Sequence, residues 1–143
     1  MRKSVKEIKE IKQSGKKITM LTAYDASMAG IFSQCDVDIL LVGDSLGMVV
    51  LGYESTVSVT MEEMIHHTAA VRRGAPDSFI IADMPYGSYH VSIEAAVSNG
   101  IRLMKEGGCD AVKLEGGLDY CDTIEALVKG GVSVMGHIGL TPQ

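Results

Sequence analysis

The chain has 143 residues and a formal net charge of −5, with 46% hydrophobic, 22% charged and 5% aromatic residues, the composition of one folded domain rather than a disordered chain. Charge is uneven: residues 1–17 hold seven of the 13 basic residues and two of the 18 acids, so the remainder is strongly acidic and does not suit a polyphosphate backbone. Scarce aromatics and the lack of Trp also argue against a stacking surface for single-stranded nucleic acid.

The first predicted element is an amphipathic helix over residues 1–16, with Val5, Ile8 and Ile11 on one side and lysines on the others. Glu7 and Glu10 interrupt the basic run, which favours a solvated helix face over a nucleic-acid or membrane arm. Five apolar runs then read as strands at 18–23, 38–43, 79–83, 111–115 and 132–136. They are apolar almost throughout rather than alternating, the pattern of parallel strands covered on both faces. Helical patterns lie between them at 26–34, 61–73, 93–106 and 122–129. Thr60 and Glu63 have capping-box spacing ahead of the second of these, and Gly74, Gly107–Gly108 and Gly130–Gly131 mark helix ends. Residues 46–59 read as a loop. Strand–helix alternation of this kind predicts an α/β fold with a parallel sheet in a single domain over 1–143, with strands one to five in 17–143.

The three cysteines, Cys35, Cys109 and Cys121, form no C-x-x-C pair, so neither a disulfide framework nor a zinc site is expected, and the compartment reads as reducing. The N-terminus has no apolar signal region, and no apolar run approaches the ~20 residues of a membrane span. A cytoplasmic protein with no membrane partner is the expectation.

Polar residues punctuate the C-terminal ends of the predicted strands. Asp44 and Ser45 follow the second, Asp83 ends the third, Lys113 and Glu115 lie in the fourth and His137 follows the fifth. In parallel sheets these ends converge where ligands bind. A single Asp after a strand is commonly a helix cap; three carboxylates on successive strands weaken that explanation. Asp44, Asp83 and Glu115 are hard oxygen donors suited to Mg²⁺ or Mn²⁺ rather than zinc. Lys113 and Glu115, two apart, share a strand face, where the ammonium could stabilise a developing enolate or simply form a buried Lys–Glu pair. His66 and His67, on a helix away from the strand ends, read as surface or packing histidines, and the nine Met residues as core filler.

Four strings, residues 17–25 (KITMLTAYD), 41–49 (LVGDSLGMV), 111–117 (AVKLEGG) and 136–143 (GHIGLTPQ), together with 83–89 (DMPYGSY), run in order along the whole chain. On these the sequence resembles the ketopantoate hydroxymethyltransferases, the 3-methyl-2-oxobutanoate hydroxymethyltransferases of pantothenate synthesis. The resemblance implies a (β/α)8 TIM barrel using Mg²⁺, with 5,10-methylenetetrahydrofolate as co-substrate and a homo-oligomeric assembly. It implies that Asp44 and Asp83 bind the metal with Glu115 in its shell, that Asp44, Ser45, Asp83 and Lys113 contact the 2-oxo acid, and that His137 lines the site. Two departures stand out. Asp36 occupies a position where the family tends to have Gly, at the end of the sheet away from the chemistry. A complete barrel of this type also needs ~250 residues, and the family's glutamate general base and strands six to eight have no counterpart up to Gln143. The resemblance is therefore to the N-terminal part of the enzyme, with no catalytic base inside the chain. The alternative is an inactive fragment acting at most as an assembly or metal-binding remnant. A Mg²⁺-dependent lyase or mutase of 2-oxo acids from related barrels is a further reading, which the strings disfavour.

Overall fold

The computed structural model describes residues 2–143. The first helix, α1, spans Val5–Gln13, shorter among the described residues than the expected 1–16, of which Met1 lies outside them. Ser4 and Glu7 form a reciprocal capping box that fixes its start, and the Ser14 N–H closes the last turn on the Glu10 carbonyl at 2.9 Å. The strands are β1 Met20–Thr22, β2 Ile39–Val42, β3 Phe79–Asp83, β4 Ala111–Glu115 and β5 Val134–His137. All four pairings are parallel, in the order β1-β2-β3-β4-β5. Between the strands lie α2 Ala26–Phe32, α3 Leu46–Val49, α4 Met61–Gly74, α5 Ile93–Arg102 and α6 Cys121–Lys129. The α/β alternation expected from the sequence is therefore present.

Three local differences have physical causes. The 46–59 segment is not a plain loop: it holds α3 and a short 3₁₀ turn, Thr56–Ser58, with Leu46 buried. The helix expected to run from 93 to 106 ends at Arg102 and widens into a π turn, Leu103–Gly107, which buries Leu103 and brings Gly107 against Thr68 of α4. The edge strands are trimmed: β1 is three residues, and its Met20 and Leu21 are exposed, whereas β3 and β4 are buried throughout.

Alternation along the strands divides the apolar residues between two faces. Leu40, Val42, Ile80, Ala82, Val112 and Leu114 face the helices and join Ala29, Met64, Val71, Ala96, Leu103 and Leu127 in the larger core. Ile39, Phe79, Ile81 and Ala111 point to the opposite face, where Val5 and Ile8 of α1 pack over the N-terminal ends of the strands. Thr60 and Glu63 cap α4 as the sequence predicts. Lys3 and Arg2, from the basic segment, reach Asp38 at 2.5 Å and Asp110 at 3.2 Å, next to the starts of β2 and β4. Two cations of the supposed arm thus meet the protein's own acids. No helix among the described residues is long and apolar enough to cross a membrane, and all three cysteines are free.

Candidate active site

On the face that α1 covers below, the apolar residues give way toward the C-terminal strand ends to charged ones. The register sets Asp83 of β3 beside Lys113 of β4, and Glu115 beside His137 of β5. Asp44, just past β2, turns its backbone N–H onto Asp83 Oδ2 at 3.1 Å. Gly43 permits that approach: a Cβ there would stand 2.8 Å from Ser45 Oγ and 3.5 Å from Asp83 Oδ2. Asp25, which follows β1, plays the ordinary part of an Asp at a strand end and caps α2 by accepting the Met28 N–H at 2.7 Å. Asp44 and Asp83 cap nothing, and both are buried with Lys113 and Glu115.

Lys113 Nζ lies 2.8 Å from Asp83 Oδ1. That oxygen is buried and lacks a hydrogen bond of good geometry despite the ion pair. Loss of solvent pushes the Asp83 carboxyl up to about 6; the Asp44 charge adds to the rise and Lys113 opposes it. The buried pair that the sequence suggested for Lys113 is thus with Asp83 across the strands, not with Glu115 two residues on.

The other expected site residues are spread around this centre. Ser45 Oγ shares a 2.9 Å hydrogen bond with Tyr24 OH, and the Tyr24 carbonyl accepts from His67 Nδ1 at 2.7 Å. His67 is therefore a packing histidine holding the end of β1, while His66 is exposed. Glu115 receives the Gln143 N–H at 3.5 Å, and its own backbone N–H donates to Tyr89 OH at 3.2 Å. Gly116 makes the sharp turn expected after it, at φ 129°, where a Cβ would stand 2.3 Å from the Tyr120 ring. His137 turns to its own loop, donating from Nε2 to the Leu140 carbonyl at 2.8 Å. Tyr24, Tyr89 and Gln143 were not singled out from sequence. Each lies in one of the quoted strings, but only Tyr24, two residues past β1, stands beside a strand end; Tyr89 and Gln143 lie six residues past β3 and β5.

Two neighbouring buried carboxylates, Asp44 and Asp83, linked through the Asp44 backbone N–H, with an all-oxygen donor set, fit a hard divalent cation, which takes one or two carboxylates and fills its remaining positions with water and substrate oxygens. Among the described residues, no group of three or more His, Cys, Asp or Glu stands together to hold an ion, so Asp44 and Asp83 are the pair to consider, with Glu115 outside their contact.

A parallel sheet with α/β alternation, carrying acid and ammonium groups at consecutive strand ends, has the layout of part of a (β/α) barrel. Solved structures similar to it agree on the fold. A phosphoenolpyruvate phosphomutase from Streptomyces platensis subsp. rosaceus matches with a TM-score of 0.74 at 13% identity, over 94% of this chain and 53% of that one. A 2,3-dimethylmalate lyase of the PEP mutase/isocitrate lyase superfamily matches with a TM-score of 0.70 at 15% identity, over 95% of this chain and 51% of that one. Residues 2–143 match the family profile of ketopantoate hydroxymethyltransferase. The 3-methyl-2-oxobutanoate hydroxymethyltransferase of Desulfotalea psychrophila is 62% identical over all 143 residues, which cover 51% of that protein. That of Thermoanaerobacter sp. (strain X514) is 57% identical over 136 residues, 95% of this chain and 50% of the relative. The chain belongs to the ketopantoate hydroxymethyltransferase family and spans about half the length of the curated relatives it matches.

Proposed function

We propose that this chain supplies the cation-binding and oxo-acid-binding part of a Mg²⁺-dependent ketopantoate hydroxymethyltransferase of pantothenate synthesis. The reaction moves a one-carbon unit from 5,10-methylenetetrahydrofolate to 3-methyl-2-oxobutanoate and gives 2-dehydropantoate. The C3–H bond breaks, a bond from C3 to the one-carbon unit forms, water supplies the hydroxyl oxygen and tetrahydrofolate leaves. The observation that carries the reading is the contact of Asp44, Asp83 and Lys113 at the ends of β2, β3 and β4, in a chain of this family.

Asp44 and Asp83 would hold Mg²⁺, which when bound polarises the 2-oxo group as a Lewis acid. Lys113, buried beside Asp83, stands ready to balance the negative charge that the substrate develops as the C3 proton leaves. Ser45, steadied by Tyr24, offers its hydroxyl to the substrate carboxylate. Glu115 and His137 complete the wall, with the His137 Nε2 proton committed to Leu140. The base for the C3 proton is assigned to the portion of the enzyme that this chain does not span, so the 143-residue chain alone forms no ketopantoate above background. Positioned general bases supply ~10²–10⁴-fold. The reading includes a cytoplasmic homo-oligomer with no nucleic-acid or membrane partner.

The test is Mn²⁺ binding to the 143-residue chain, followed by electron paramagnetic resonance with and without 3-methyl-2-oxobutanoate. One site that is lost in Asp44→Ala and Asp83→Ala and tightened by the oxo acid supports the reading. Binding indifferent to both substitutions overturns it. Ketopantoate formation by the chain alone would overturn the placement of the base.

A further inference from the structure

The mechanism above leaves unused a buried polar chain that joins three loops to Asp44. Tyr89, only 2% exposed, lies six residues past Asp83. Its ring meets Tyr120 edge-on, with centroids 5.3 Å apart, and lies against His90 at 4.0 Å with the planes tilted by 31°. Its hydroxyl accepts the Glu115 backbone N–H at 3.2 Å, and of the two acceptors in reach of its own proton the nearer is Gln143 Oε1 at 2.6 Å, against 3.2 Å for the Glu115 carbonyl. Gln143 Nε2 then donates twice, to Asp44 Oδ2 at 2.7 Å and to the Met84 carbonyl at 3.1 Å.

The surroundings fix which way the amide faces. Turned over, Gln143 Oε1 would confront a carboxylate oxygen and a carbonyl oxygen, both acceptors only. In the orientation found, both amide protons and the amide oxygen are satisfied at once. Polarity along the chain therefore runs one way, from the Glu115 N–H through the Tyr89 hydroxyl and the Gln143 amide to Asp44. Its last link is a hydrogen bond to an anion, shorter and stronger than a neutral one.

We propose that Tyr89 and Gln143 are positioning residues that hold Asp44 by a neutral donor on one carboxylate oxygen, orienting it toward a divalent cation shared with Asp83. This rests on the cation reading of the site. A neutral amide suits the task because it anchors the carboxylate without cancelling its charge. A lysine or arginine in its place would set a second fixed cation against Asp44, beside Lys113, and compete with the metal. Substitutions of the partners that orient metal-binding groups typically cost 10–100-fold in affinity.

The experiment uses the 143-residue chain and two readouts. The first needs no metal: the side-chain amide protons of Gln143, followed by ¹⁵N–¹H spectroscopy. They are expected to be shifted downfield and slow to exchange, and to lose both properties in Tyr89→Phe and in Asp44→Ala. A fast-exchanging, unshifted amide overturns the relay. The second is Mn²⁺ affinity. Gln143→Met, similar in length but without donors, is expected to weaken binding about tenfold, and Gln143→Lys at least as much. Tyr89→Phe should weaken it less, and add nothing in the Gln143→Met background. A wild-type amide signature with unchanged Mn²⁺ affinity in Gln143→Met overturns the positioning role. Wild-type protein that shows the signature but binds no Mn²⁺ removes the cation reading and the positioning role with it, and leaves the relay as a purely structural contact. Spectra of the remaining amides identify any variant that fails to fold, and the milder Tyr89→Phe then decides the matter.

Discussion

At the N-terminal ends of the strands, Asp38 meets Lys3 at 2.5 Å and the Thr19 N–H at 2.9 Å, and Asp110 meets Arg72 at 2.6 Å, Arg2 at 3.2 Å and the Ile80 N–H at 2.8 Å. At the C-terminal ends, Asp83 meets Lys113 but also the neighbouring charge of Asp44. The same residue type responds in opposite directions. The hydrogen bond from Lys3 holds the Asp38 carboxyl below its usual range, whereas burial drives that of Asp83 up to about 6. One end of the sheet closes its charges on itself, and α1 seals the apolar layer behind them. The other end keeps carboxylates crowded and short of positive charge. Crowding of that kind is a cost that a folded protein carries where chemistry needs it.

The comparison breaks most visibly at Arg72. Its guanidinium donates to the carbonyls of Gly108 at 2.8 Å, Pro76 at 3.0 Å and Ser78 at 2.9 Å, besides pairing with Asp110. Arg72→Met leaves Asp110 half-paired and strands those carbonyls. Breaking a fully buried pair on one side costs about 3–5 kcal/mol; this pair is part-buried and Asp110 keeps Arg2, so the loss should fall at or below the lower end of that range and appear in urea unfolding. Mn²⁺ affinity of the folded fraction should not move, because these contacts lie at the opposite end of the sheet from Asp44.

The crowded end predicts an unusual pH dependence. Asp83 has a higher pKa folded than unfolded, so the native state holds more protons between about pH 4 and 6. Its contribution to stability is full below about pH 4 and is lost as pH rises through about 6, by up to roughly 3 kcal/mol. Asp38 and Glu63, with lowered values, contribute with the opposite sign, Asp38 below the window and Glu63 only up to its lower part, near the ordinary glutamate value. His90, lowered by burial, gains stability through the same window, so the difference between wild type and Asp83→Asn isolates the carboxylate. Urea unfolding from pH 4 to 8 in a chelator should show wild type losing stability relative to Asp83→Asn, with Mg²⁺ restoring it at pH 8 and not at pH 4.5. A constant difference across the range would refute the assignment.

What could be read from the sequence follows the same division. β3 and β4 stand where their unbroken apolar runs put them, because burial on both faces leaves a strong pattern. β1 and β5 are shifted, since edge strands are less constrained by composition. α3 is hidden because its Ser45 makes no side-chain cap and four residues carry no periodicity. Asp44, Asp83 and Lys113 were legible from their places at strand ends. The Lys113 partner was not, because register rather than spacing along β4 brings Asp83 beside it. Tyr89 and Gln143 reach the site from loops, with Gln143 lying 99 residues from Asp44 and 54 from Tyr89, and no local pattern encodes such a contact. His137 was placed at the site by its strand end and by resemblance; it stands in register with Glu115, and its ring nitrogen engages the Leu140 carbonyl.

The mildest test concerns Lys3. Its ammonium is about one-third exposed, so salt and water screen its pairing with Asp38, and exposed pairs of this kind contribute about 0.2–1 kcal/mol. Asp38 keeps the Thr19 N–H at 2.9 Å and the Thr19 hydroxyl at 3.0 Å without it. Lys3→Met should therefore cost about 0.5 kcal/mol at low salt and less at 1 M NaCl, where the screening length falls to ~3 Å. The loss should also shrink as acid protonates Asp38, below the ordinary carboxylate range, because its folded value is lowered. Urea midpoints of Lys3→Met and wild type at two salt concentrations measure this directly. A loss that persists undiminished in salt would show that Lys3 acts through the packing of α1 on Phe79 and Ile39 rather than through charge.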